Sequence, residues 1–388
     1  MDNPFRYGRV ATGEFFVGRE KELRDLENDV RAGQDVVIIS PRRYGKTSLV
    51  LETIERLRRQ KVLAAYVDLF RTPTKEQLVR GLANALYAGL ADVKGRVWEK
   101  ARELFGKVSL HPTATINPDG SYTLELAPAD RVQSLDSVLE RLLSLPQKIA
   151  EERKRRVVLV LDEFQQITEI DPHLPAIMRA EFQLQRDVVH LFAGSQRHMM
   201  ARLFTAANEP MYRMAKPMHL GPIDIGVFAG FICSRFASTD QQITDDATAR
   251  ILEITGGHPA NTQELCYFTW NLAATEKVAA TVELVDRALA EVIDAEDDRF
   301  TVIWSHLSAN QRLVLTALVA SDGSPAIYSE SYRRAYGLGA SSTVHRSVSA
   351  LIDADLVKTT ANGEHHVPDP FFRAWIARTA AIGANIRV

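Results

Sequence analysis

The chain has 388 residues, 46% hydrophobic and 25% charged. That is ordinary globular composition for two or three domains, and it excludes disorder as the main state. Lys and Arg number 47 against 49 Asp and Glu, a net charge of −2. A histone-like coat on nucleic acid is thereby disfavoured, and only a local basic patch stays open. Cys233 and Cys266 stand in no metal or redox spacing, so a reducing cytoplasm fits better than a disulfide scaffold or zinc module. The longest clean apolar run, Val157–Leu161, is far short of the ~20 residues that cross a bilayer. The opening MDNPFRYGRV has no apolar signal core. A cytoplasmic protein without membrane attachment is expected.

Over the first 240 residues strand-like and helix-like segments alternate. Val36–Ile39 is a short β-branched run that suits a strand buried on both faces. An amphipathic helix follows over Ser48–Arg59, then a strand over Val62–Leu69 and a helix from Thr74 to Leu90. Gly106–Pro128 breaks the rhythm. Pro112, the Pro118-Asp119-Gly120 turn and the alternating Tyr122, Leu124 and Leu126 predict an inserted β-hairpin, read as a surface insertion without catalytic value. The periodicity predicts a helix over Leu135–Ala150, buried strands at Val157–Leu161 and Val188–Ala193, and an edge strand at Pro217–Leu220. Strands alternating with helices imply an α/β fold, a parallel sheet covered on both sides.

From Asp224 the pattern is helical: Phe228–Phe236, Thr244–Ile254, Pro259–Ala274 and Val282–Ala295 predict a small bundle. The acidic run Asp294–Asp298 reads as a linker. Helices over Asn310–Ala320, Tyr328–Ala335 and Ser341–Asp353 then precede two short strands around Asn362-Gly363, read as a type I′ turn. Three helices and a hairpin predict a winged helix. The expected domains are 1–222, an α/β core with the insertion near 106–128; 223–298, a helical lid; and 299–388, the winged helix.

The strongest chemical signal is Ser40-Pro41-Arg42-Arg43-Tyr44-Gly45-Lys46-Thr47-Ser48. A buried strand runs into a tight loop and Gly-Lys-Thr opens a helix, which is the P-loop arrangement. Inward backbone N–H groups at the helix start hold polyphosphate oxygens. Lys46 is the candidate to bridge the β- and γ-phosphates, and the Thr47 hydroxyl the candidate ligand of Mg²⁺. Ser40 stands where the pattern normally has Gly, which leaves the phosphate-contacting residues in place. The second signal is Val157-Val158-Leu159-Val160-Leu161-Asp162-Glu163, a buried strand ending in two carboxylates. Asp162 is expected to hold the metal. Glu163 is expected to take a proton from the attacking water, and alternation along the strand to make the two side chains diverge. The third signal is Ser195-Gln196-Arg197 at the end of the Val188–Gly194 strand. Ser195 is either a γ-phosphate sensor, with Arg197 as charge partner, or a helix N-cap followed by a surface arginine.

With Asn3-Pro4-Phe5, Phe15-Phe16-Val17-Gly18-Arg19-Glu20, the P-loop, Leu161-Asp162-Glu163-Phe164-Gln165, Gly194-Ser195 and Gly256-Gly257-His258-Pro259 in this order, the chain resembles the archaeal-type ATPases of the STAND branch of AAA+-like P-loop NTPases. The resemblance spans nearly the whole sequence. It implies an ATP/ADP and Mg²⁺ site. Phe16, Val17, Gly18 and Arg19 would flank the adenine, although Phe15 and Phe16 serve equally as core. The loop residues Pro41, Arg42, Arg43, Tyr44, Gly45 and Ser48 join Lys46 and Thr47 around the phosphates. His258 and Pro259 either approach the nucleotide from the lid or simply open a helix with Pro at its first turn. Arg213 is either an arginine finger, in cis or from a neighbour, or a surface residue. The candidate recognition helix Ser341–Val348 offers Arg346 and His345, and the wing Lys358 against Glu364, which is thin for phosphate neutralisation. The expected activity is an ATP-hydrolysing switch acting on a protein partner or on its own assembly, with a DNA-associated ATPase as the rival. No site for a structural metal other than Mg²⁺ is expected.

Overall fold

The computed structural model describes residues 2–90, 110–116, 122–128, 134–321, 326–360 and 362–385. Its contacts divide the chain into two units, Val10–Gly221 and Met1–Arg9 with Pro222–Val388.

The first unit is built on a parallel sheet. β1 (Val36–Ile39), β2 (Leu63–Asp68), β5 (Val157–Asp162), β6 (Val188–Gly194) and β7 (Lys216–His219) lie in the order β2-β5-β6-β1-β7. β3 (Leu110–Ile116) and β4 (Tyr122–Pro128) form a separate antiparallel hairpin, in register from Leu110↔Pro128 to Ile116↔Tyr122. The Pro118-Asp119-Gly120 turn lies outside the described residues.

The period of two along the central strands sorts their side chains into two cores. Val37, Ile39, Val157, Leu159, Leu161 and Phe192 face one way, against the helices Lys75–Leu90, Leu135–Arg153 and Leu174–Phe182. Val36, Ile38, Val158, Val160, Leu191 and Ala193 face the other, against Glu20–Ala32 and Lys46–Arg59. Those two helices present Leu23, Leu26 and Val30, and Leu49, Val50, Ile54 and Leu57, the spacing of one helical face. Every residue of β1, β5 and β6 is buried, which suits their apolar runs; the polar exceptions are His190 in β6 and Asp162 at the end of β5. β7, an edge strand, is mostly exposed. β6 lies between β1 and β5, so Ser195 follows the strand that separates the P-loop from Asp162.

In the second unit, helices Ile225–Ala237, Asp245–Thr255, Pro259–Glu276 and Val282–Ala295 form the bundle. The first residues, expected with the α/β core, belong here instead. Phe5 is 1% exposed, its ring 5.3 Å from Phe236 and 6.4 Å from Phe231. Asn3 donates to Tyr267 O and Asn271, and Arg235 to Pro4 O.

The acidic run Asp294–Asp298 is also not a linker. One helix ends at Ala295 and the next, Asp297–His306, starts at once. Two of the acids are held by distant partners, Asp294 by Arg378 at 2.6 Å and Asp297 by Trp375 Nε1 at 2.7 Å, while Glu296 pairs with its neighbour Arg299. The winged helix comprises Ala309–Ala320, Glu330–Ala335, Ser341–Asp353, the strand pair β8 (Lys358–Thr359) and β9 (His365–His366), and a closing helix Pro370–Asn385 that the sequence reading lacked. Its hairpin is not closed by a type I′ turn at Asn362-Gly363. Thr360 N donates to Glu364 O and Gly363 N to Thr360 O, and of Asn362 and Gly363 only the glycine is left-handed, at φ 82°, where a type I′ turn needs both.

Candidate nucleotide site

Parallel strands bring their carboxyl ends to one edge of the sheet, and the loops after β1, β5 and β6 meet there. Helix Lys46–Arg59 starts after Gly45, at φ 81°. Lys46 and Thr47 are thus in its first turn, where the helix dipole favours anions.

Lys46, 6% exposed, is held between the two acids at the end of β5. Its ammonium lies 2.6 Å from Glu163 Oε1 and 3.1 Å from Asp162 Oδ1. Thr47 Oγ1 donates to Asp162 Oδ2 at 2.9 Å. The same oxygen accepts from the Tyr66 hydroxyl, also at 2.9 Å. Ser195 Oγ donates to Glu163 Oε2 at 2.8 Å, and Gln165 Nε2 to the same atom at 2.5 Å. The P-loop lysine, both acids and the residue after β6 therefore form one connected cluster.

The expected divergence of the two acids does not occur. β5 ends at Asp162, and Glu163 turns into the left-handed region at φ 52°, so both carboxylates reach Lys46. Arg43 in the loop is left-handed too, at φ 65°. Strain at non-glycine residues of this kind costs of order 1–3 kcal/mol and gathers at working sites. Burial opposes ionisation of Glu163. The Lys46 charge and the hydrogen bonds from Lys46, Gln165 and Ser195 outweigh it and hold the carboxyl below the ordinary glutamate value. For Tyr66, burial first and then the Asp162 carboxylate push the phenol well above the ordinary tyrosine value, so it stays a donor.

Residues 16–265 match a family described as an ATPase domain predominantly from Archaea, and residues 298–378 a probable winged helix domain. The first match spans well over half of the chain. The chain belongs to this archaeal ATPase-domain family. Two solved structures share its fold. A Walker-type ATPase of Pyrococcus abyssi matches with TM-score 0.66 at 14% identity, over 96% of this chain and 99% of that one. The Aeropyrum pernix ORC2 protein, in its ADPNP-ADP complexes, matches with TM-score 0.56 at 14% identity, over 97% and 99%. No curated protein matches in sequence. The fold is thus that of AAA+-like P-loop NTPases with a C-terminal winged helix.

In this ATPase-family chain the donor set fits a magnesium nucleotide. Thr47 gives its proton to Asp162 and so keeps its oxygen lone pairs for a hard cation, with a carboxylate beside it. The other named residues fall into place unevenly. Ser195 is in the cluster and is not an N-cap: that position is Gln196, which makes no side-chain capping bond. Arg197 is half-buried and, with Arg19, lends positive charge to the loop residue Tyr44, whose phenol burial pushes up. Arg19 itself is 3% exposed and tied to Glu22, Tyr44 O and Gly221 O, so it braces the loop against the end of β7. Phe16 packs on the core beneath helix Glu20–Ala32. Val17 and Gly18 are half-buried, as is Pro41, while Arg42 and Arg43 are exposed. Buried Ser40 turns its hydroxyl onto Pro41 O, and Ser48 Oγ accepts from Ala11 N. Arg213 is exposed, left-handed and stacked over Tyr212 at 5.3 Å, so it is not brought into the cluster.

In the second unit His258 caps helix Pro259–Glu276, its Nδ1 accepting from Asn261 N, with Pro259 in the first turn. His345 of the candidate recognition helix stacks on Tyr328, ring centroids 3.7 Å apart. Among the described residues no group of His, Cys, Asp and Glu has the arrangement of a metal centre, and no helix is long and apolar enough to cross a membrane. The sequence reading assigned no role to Tyr66 or Gln165. Gln165 lies two residues beyond Glu163, in the turn Phe164–Gln166, a spacing that was visible. Tyr66 could be found only with the β2-β5 pairing in hand.

Proposed function

We propose that the chain is an ATP-hydrolysing molecular switch. The convergence of Lys46, Thr47, Asp162, Glu163 and Ser195 at the carboxyl ends of the strands carries this reading. Backbone N–H groups of Arg42–Thr47 and the Lys46 ammonium bind the polyphosphate. Lys46 then exchanges two carboxylates for phosphate oxygens, which releases Glu163 from its tightest contact. Glu163, still oriented by Ser195 and Gln165, accepts the proton of the attacking water. Thr47 and Asp162 hold Mg²⁺, which supplies positive charge to the phosphate oxygens when bound.

Lysine and acids satisfy one another in the structure, and the activity inferred is that of a slow switch of the STAND type. The nucleotide state is then read out by the helical unit, with His258 and Pro259 as the carried-over lid residues, and passed to a protein partner or a second copy in the cytoplasm. Within this proposal the second unit, which starts at Pro222, is divided near 298 into lid and winged helix. Arg213 could serve only as a finger toward another molecule. The winged helix gives the DNA-associated alternative some standing, but the His345 stack on Tyr328 commits one of its few base-reading side chains to the domain itself.

The test is Glu163→Gln. This variant should keep ATP affinity within a few-fold while phosphate release falls about 100-fold or more, the usual worth of a positioned base. Equal release from both proteins removes Glu163 as the base.

A further inference from the structure

We propose that Tyr66 is a positioning residue for the magnesium end of this site, fixing the Asp162 carboxylate so that Asp162 and Thr47 face one cation. The inference rests on the nucleotide reading above.

Asp162 is 2% exposed, and its two oxygens together take three hydrogen bonds and one ion pair. Oδ1 faces Lys46 Nζ at 3.1 Å and accepts from Glu163 N at 2.9 Å. Oδ2 accepts from Thr47 Oγ1 and Tyr66 OH, both at 2.9 Å. Two of these donors have other work when nucleotide is present. Lys46 turns to phosphate, and Thr47 offers its oxygen to the cation. Among the described residues the Tyr66 hydroxyl bonds only Asp162. It is the donor that stays, and with the Glu163 N–H it defines the plane of the carboxylate.

The fold makes this placement rigid. Tyr66 pairs in register with Val160, two residues before Asp162 on β5. Alternation puts Tyr66, Val160 and Asp162 on one face of the sheet, the face covered by helix Lys46–Arg59. The ring packs on that core, so its hydroxyl can move little. Partners of this kind behind a metal-holding carboxylate commonly govern metal affinity by 10–100-fold.

The test uses the full chain and a fluorescent ADP analogue, with affinity measured in EDTA and across a Mg²⁺ titration. Tyr66→Phe keeps the ring and its packing. It should leave affinity in EDTA unchanged and raise the Mg²⁺ concentration of half-effect by about 10-fold or more. In an Asp162→Asn background the same substitution should add nothing, because the acceptor it serves is already altered. A Mg²⁺ half-point within twofold of wild type overturns the inference while the nucleotide site stands. Equal weakening with and without Mg²⁺ also overturns it, since Tyr66 would then be only structural. A wild-type protein that binds the analogue no better with Mg²⁺ than with EDTA overturns both readings together.

Discussion

Lys46 is the residue on which the electrostatics of the core turn. Its buried ammonium balances Asp162, 2% exposed, and Glu163, whose side chain is 23% exposed. Removing one partner of a buried pair leaves an uncompensated charge and costs about 3 kcal/mol. Lys46→Ala should therefore do two things. It should lose ATP binding, and it should lower the stability of the nucleotide-free protein by about that amount in denaturant unfolding. Glu163→Gln should cost less, because Lys46 keeps Asp162. A Lys46→Ala protein as stable as wild type would mean the ion pairs contribute nothing measurable. The cluster of Lys46, Thr47, Asp162 and Glu163 was legible in sequence because strand-loop-helix and strand-acid-acid are local patterns. Tyr66 was not. Its role depends on β2 lying beside β5, and strand order is set by packing across some 90 residues of intervening chain.

At the scale of elements, β1, β5 and β6 declared themselves as buried strands, β1 by its β-branched run. The helices Asp297–His306 and Pro370–Asn385 did not. Five successive residues rich in acid look like solvated linker when read alone. Here Arg299, Arg378 and Trp375 complete them, and two of those three are about 80 residues away. The wing turn differs for a local reason: Asn-Gly favours type I′, but the chain pairs Thr360 with Glu364, and of Asn362 and Gly363 only the glycine is left-handed. The Gly256-Gly257-His258-Pro259 segment has a structural duty whatever its part in nucleotide sensing. Gly257 sits at φ 71°, and a Cβ there would lie 2.5 Å from Ile223 O, a backbone atom with no room to yield. Gly257→Ala should destabilise the helical unit by about 3 kcal/mol, from left-handed strain plus the clash. Urea unfolding checks this, and a loss below about 0.5 kcal/mol would show that the segment relaxes freely.

For the whole molecule, sequence and structure agree on an archaeal-type ATPase core followed by helices and a winged helix. The N-terminal residues are the exception. Asn3, Pro4 and Phe5 pack into the helical bundle, a destination no local pattern encodes. The central claim is that Lys46, Thr47, Asp162 and Glu163 make one magnesium–nucleotide site. Calorimetric titration of the full chain with ATP and Mg²⁺, beside Lys46→Ala, tests it most directly. One nucleotide should bind per wild-type chain and none to the variant. Heat flat for wild type at millimolar ATP, or the same binding curve from both proteins, would contradict it.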